Sequence, residues 1–154
     1  MLRGRGNPNR KKSLDDHAET VESILHGLGV PIDSARMPDV DNGYGWHFKR
    51  GSAIIEIYTI EADAQGYFQV LSPIMHLPQT GLLPLYRRLL ENNLQMTNAS
   101  FGVFNDVVYV FNERPLQDLD PGEVEGIMTM VAGYADDFDN ELVNEFGGRL
   151  YSQM

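Results

Sequence analysis

A chain of 154 residues is long enough to bury a core without covalent staples, roughly 70% of the surface its unfolded form exposes. It contains no cysteine, which excludes disulfides, thiolate metal sites and cysteine nucleophiles and suits a reducing compartment. Five of its twelve basic residues precede position 13, leaving seven to face all twenty-two acids, and a body that acidic repels nucleic acid phosphate.

The first twelve residues, MLRGRGNPNRKK, combine Arg3, Arg5, Arg10, Lys11 and Lys12 with Gly, Asn and Pro and have almost nothing to bury. They read as a disordered basic tail, in the first place a solvated start, with contact to acidic partners, RNA or a membrane surface as the alternative; nucleic acid binding is not expected elsewhere in the chain. Residues 13–150 read as a single domain. The sequence lacks a run of about eighteen apolar residues and an apolar signal-peptide region, so a soluble, cytoplasmic protein is expected.

Ser13-Leu14-Asp15-Asp16 has capping-box spacing, with Asp for Glu, and opens a helix whose apolar positions are Leu14, Ala18, Val21, Ile24, Leu25 and Leu28. Gly27 or Gly29 ends it, and residues 32–43 read as a loop. Three strands follow as a meander. Tyr44, Trp46 and Phe48 alternate in the first. The second, 53–60, separates Ile55 and Ile57 from Ile54, Glu56, Tyr58 and Ile60. The third, 67–72, separates Phe68 and Val70 from Tyr67, Gln69 and Leu71. One face of this sheet is thus half polar and dotted with aromatics, fit for water or for a partner.

Pro73, Pro78 and Gly81 mark the passage to an amphipathic helix. Leu82, Leu83, Leu85, Tyr86, Leu89 and Leu90 form its stripe, with Thr80 as N-cap and Pro84 in the first turn. A hairpin comes next, with Asn105-Asp106 at its turn. Phe101 and Val103 in one strand and Val107, Tyr109 and Phe111 in the other alternate, while Val108 and Val110 predict a central strand covered on both sides. Pro115 ends that strand. Asp120-Pro121-Gly122-Glu123 is a specific helix start, and the stripe from Val124 to Phe146 runs on until Gly147-Gly148. The order is α-β-β-β-α-β-β-α.

Reactive constellations do not assemble. His17, His26, His47 and His76 lack helical metal-ligand spacing. Asp136, Asp137, Asp139, Glu141 and Glu145 fail as a calcium loop, because Leu142 stands at the sixth position counted from Asp137, so they read as a solvated helix face. Ser52, Ser72 and Ser100 have no nucleophile setting, and Gly147-Gly148 follows a helix instead of preceding one. No catalytic, cofactor-binding or metal residue is assigned, and the chain is not expected to be an enzyme.

The strand around Trp46-His47-Phe48, the run FQVLSPI over 68–74, LLPLYRRLLENN over 82–93, ASFGVF over 99–104 and PLQDLDPGEVEGIM over 115–128 resemble the YbjN-like family of bacterial sensory-transduction regulators. That family is related in fold to the type III secretion chaperones of the CesT/Tir group. The resemblance implies an α+β fold, a twisted, mainly antiparallel five-stranded sheet with helices packed on it, commonly dimeric and acting by binding another protein. By position it nominates Trp46, Tyr58, Phe68 and Leu71 as partner-binding, and Leu85, Tyr86 and Leu89 as core or dimer contacts.

The leading expectation is a non-catalytic protein-binding module, chaperone-like or regulatory, that grips a partner segment on an apolar patch or sheet edge. Its competitor is a small-ligand sensor or enzyme with a pocket between sheet and helices. A third reading confines function to the basic tail.

Overall fold

The computed structural model describes residues 12–152, so the expected disordered tail, apart from Lys12, lies outside the described residues. The elements are α1 (Leu14–Gly27), α2 (Ile32–Ala35), β1 (Gly43–Arg50), β2 (Ala53–Ala62), β3 (Gln65–His76), α3 (Leu82–Asn93), β4 (Ser100–Phe104), β5 (Val107–Pro115), α4 (Pro121–Phe146) and β6 (Arg149–Leu150). The expected order stands, with two short additions, α2 inside the stretch read as a loop and β6 after the last helix. Strands run β1-β2-β3-β5-β4, every pairing antiparallel, and β6 pairs the end of β3.

Local chemistry sets the boundaries. The capping box is complete: Asp16 N–H donates to Ser13 Oγ at 3.2 Å and Ser13 N–H to Asp16 Oδ2 at 2.9 Å. Asp120 Oδ1 accepts from Glu123 N–H at 2.8 Å, with Pro121 opening α4. Asn105 and Asp106 both take positive φ, 48° and 61°, as a two-residue hairpin turn with right-handed twist requires. The N-cap of α3 is Gly81 at φ 74°, not Thr80, which places Pro84 third in the helix. β3 passes through Pro73 instead of ending at Ser72, and the missing proline N–H coincides with a register shift between Pro73 and Met75.

α1 and α4 pack on one face of the sheet, with α3 against β4 at its margin. The row Trp46, Ile57, Val70, Asn112 and the row Tyr44, Thr59, Phe68, Arg114 look toward the helices. Ile55, Ile57, Val70, Val108 and Val110 are fully buried there against Leu85, Met128, Val131 and Leu142. The indole of Trp46 is fixed as well, since its Nε1–H donates to Glu22 Oε1 at 3.2 Å while Arg36 Nε donates to the same oxygen at 2.6 Å.

The acids of α4 are not merely solvated. Asp139 is buried and accepts from the Ser52 hydroxyl and from Asn140 N–H, while Asp136 accepts from Ser52 N–H at 3.3 Å. Both carboxylates therefore hold the β1–β2 turn, where Gly51 has φ +57° and a Cβ would strike Asp136. Glu141 and Glu145 pair with Arg88 of α3.

His17 is 5% exposed on the inner side of α1. Burial first, then the Lys12 charge, holds its imidazole below the ordinary 6.5. An unfolded chain takes up that proton as pH falls through 6.5, whereas the folded chain resists until its lower pKa, so stability declines across that interval and then levels off. Urea midpoints measured from pH 7.5 to 5.5 should fall accordingly, and His17→Phe should flatten the slope. An unchanged slope in the variant would assign the dependence to other groups.

Candidate functional site

Sheet periodicity turns every second side chain away from the helices, and among the described residues no element covers that other face. One row across it is His47, Glu56, Leu71, Phe111 and Ser100; the next toward one end of β5 is Gly45, Tyr58, Gln69 and Glu113, and toward the other Pro73, Tyr109 and Gly102. Leu71, Tyr109, Phe104 and Phe111 line an open groove of about 480 Å³, with Glu56, Gln69 and Glu113 along its polar side. Phe111 is 39% exposed and Phe104 68%. Apolar side chains of this size clustered on an exposed sheet mark a contact surface, where isolated ones would need no explanation.

Two glycines shape the face. A Cβ on Gly102 would sit 3.0 Å from the Phe111 ring, and one on Gly45 would sit 3.1 Å from the Tyr58 ring. Each aromatic therefore lies across the glycine of the neighbouring strand, which restricts its orientation. Tyr58 O–H donates to Glu56 Oε1 at 3.0 Å, and Gln69 Nε2 donates to Glu113 Oε1 at 3.0 Å. Burial, and after it the Glu56 charge, raises the Tyr58 phenol above the ordinary tyrosine range, so it remains a neutral donor. The surface thus offers an apolar strip beside carboxylates that accept hydrogen bonds.

The residues nominated from sequence divide between the two faces. Tyr58 and Leu71 lie on the open face. Trp46 and Phe68 do not: at 1% and 0% exposure they are core, because their positions pair with Ile57 and Thr59 on the helix side. Leu85 and Leu89 are buried and Tyr86, partly buried, packs against the core, so all three make core contacts within the chain. Leu83 and Leu90, placed on the buried stripe by periodicity, are exposed together with Leu94. β5 is covered on one face only, with Val108 and Val110 inward and Tyr109 and Phe111 outward. Phe104, Tyr109 and Phe111 were legible as strand residues but not as site residues; the signal was Gly102, a gap facing Tyr109 and bordering Phe111.

The sheet edge is less available than the face. In β4 the outward-pointing backbone of Phe101 is already occupied, since its N–H donates to Asn93 Oδ1 at 2.7 Å and its C=O accepts from Asn93 Nδ2 at 3.4 Å. On the other edge, Met37 N–H donates to Gly45 O at 2.8 Å. Side chains and local backbone thus blunt both edges against strand addition. The space between sheet and helices, where a small-ligand pocket was the competing expectation, is occupied by fully buried aliphatic side chains.

Comparison with known proteins agrees with this geometry. The family described as T3SS (YopN, CesT) and YbjN peptide-binding chaperone 1 matches residues 16–154. No curated protein matches. Among solved structures, a chain of the HopA1-SchA chaperone-effector complex superposes with a TM-score of 0.55 at 10% identity, covering 80% of this chain and 93% of that one. Among the described residues no helix is long and apolar enough to cross a membrane. The family pattern runs through nearly all of the sequence, as the resemblance implied, and the chain belongs to the T3SS and YbjN peptide-binding chaperones.

Proposed function

We propose that this protein is a non-catalytic cytoplasmic chaperone or regulator that holds an extended apolar segment of a partner protein on the open sheet face. Tyr58, Leu71, Tyr109 and Phe111 grip apolar side chains, and Glu56 and Glu113 accept from polar or basic groups beside them. The observation that carries the reading is the uncovered aromatic groove on a sheet whose helices all lie on or beside its other face. The blunted edges favour side-chain contact over strand addition.

Selection from a phage-displayed library of random dodecapeptides tests it. Binders should carry alternating apolar residues, and amide shifts on titration should cluster at Leu71, Tyr109 and Phe111. Shifts confined to α1 and α4, or a library that yields no binder, would overturn the reading.

The same reading includes a homodimer. Leu83, Leu90 and Leu94 lie seven and four residues apart on the outer side of α3 and its C-cap, exposed among the described residues. Light scattering should give twice the 17.3 kDa chain mass, and Leu90→Asp should shift the protein to the single-chain mass at micromolar concentration. A single-chain mass for the unsubstituted protein at all concentrations would remove the dimer from the proposal.

A further inference from the structure

A second concavity, of about 990 Å³, lies at the end of the sheet. Its walls are the start of α1, the β2–β3 turn and the β5–α4 loop. Leu14, Leu116 and Leu119 give it an apolar floor, and Glu61, Asp63, Asp118 and Asp120 give it an acidic rim. Among the described residues Lys12 is the one cation lining it. Nearby Arg114 is spoken for, donating to Glu123, to Pro115 O and to Gln117 O.

Four carboxylates alone would be a solvated rim, but the cleft also contains His17. That side chain is buried, lines the cleft, and makes no hydrogen bond among the described residues. Burial keeps it uncharged at neutral pH, so the ring presents a lone pair without adding a repelling charge. A ring nitrogen with no described partner and four carboxylates facing one described cation call for the same ligand, one with N–H donors and positive charge. A metal ion does not fit, since no three such groups converge for one among the described residues. A long side chain does fit, with methylenes against leucine and its charged head at the rim.

We propose that this cleft is a second binding site, taking a lysine or arginine side chain from a basic segment of a partner polypeptide. The aliphatic stem lies on Leu14 and Leu116, the cation stands between the turn acids and the loop acids, and His17 accepts a hydrogen bond from below. The site stands apart from the open sheet face and needs nothing from it. A client with an apolar stretch and a basic stretch engages both, which raises its affinity through local concentration.

Fluorescence anisotropy of a labelled nonapeptide of alternating glycine and arginine, read against the full chain at about 0.1 M salt where exposed charges are screened beyond roughly 10 Å, tests the proposal. Glu61→Gln/Asp63→Asn/Asp118→Asn should raise Kd at least tenfold, and His17→Phe at least threefold. Asp33→Asn/Asp106→Asn/Asp137→Asn removes the same charge elsewhere and should change it less than twofold, as should Phe111→Asp. Circular dichroism verifies that each variant folds. Equal weakening by both acid sets would mean diffuse attraction to an acidic body and would overturn the site. So would a Kd at least tenfold lower after Arg3, Arg5, Arg10 and Lys11 are changed to glutamine in the full chain, because the cleft would then serve the chain's own basic residues and not a partner's.

Discussion

Replacing Phe111 with aspartate should weaken binding of selected apolar peptides by about a hundredfold while moving the melting temperature by no more than about 4 °C. Interface residues at the centre of a desolvated patch typically carry about 2–4 kcal/mol, and a carboxylate put there must also lose water when the peptide arrives. Phe111 occupies that centre, between Leu71 on one strand and Gly102 on the other. The folded protein loses far less. Phe111 is 39% exposed, and what disappears is its cross-strand cover over Gly102, worth up to about 1 kcal/mol. That corresponds to about 2–4 °C for a domain of this size. Unchanged affinity would remove the open face as the site. A collapse in melting temperature would make Phe111 part of the core instead.

Three local signals were legible in the sequence, although the cap expected at Thr80 moved to Gly81. The Ser13–Asp16 capping box, the Asp120-Pro121 start of α4 and the Asn105-Asp106 turn each depend on hydrogen bonds or dihedrals within four residues, and all three form as expected. The half-polar, aromatic-dotted face was legible too, because strict alternation in β2 separates Ile55 and Ile57 from Glu56 and Tyr58.

Alternation does not say which side the helices cover. In β5 both sets are apolar, Val108 and Val110 against Tyr109 and Phe111, and only the packing of α4 decides between them. The family resemblance, and not alternation, put Trp46 and Phe68 beside Tyr58 and Leu71 in one site; alternation already parted Phe68 from Leu71, and antiparallel register sends the two pairs to opposite faces. In α3, six apolar residues within nine positions wrap too wide an arc for one neighbour to bury, so Leu83 and Leu90 remain outside. β6 was not legible for another reason: two residues carry no periodicity, and their pairing is set by where β3 continues beyond β2.

Phe68→Ala separates core from contact surface most sharply. Emptying a buried phenylalanine site costs about 3–5 kcal/mol, through lost transfer energy and a cavity that its neighbours only partly refill. Phe68 is 0% exposed and faces the helical layer from β3, between Thr59 on β2 and Arg114 on β5, so the strands have little freedom to close in. Against a total of about 5–15 kcal/mol for a domain, that is a large share, and the melting temperature should fall by about 10–15 °C. Affinity for an apolar peptide, measured well below the new transition, should stay within about twofold, because the groove-lining positions of β3, Gln69 and Leu71, point the other way. The signature is the reverse of the one expected for Phe111→Asp, and the two variants lie on adjacent strands. If Phe68→Ala instead spared stability and abolished binding, the sheet would present its other face to partners, and the helical layer would have to move aside to admit them.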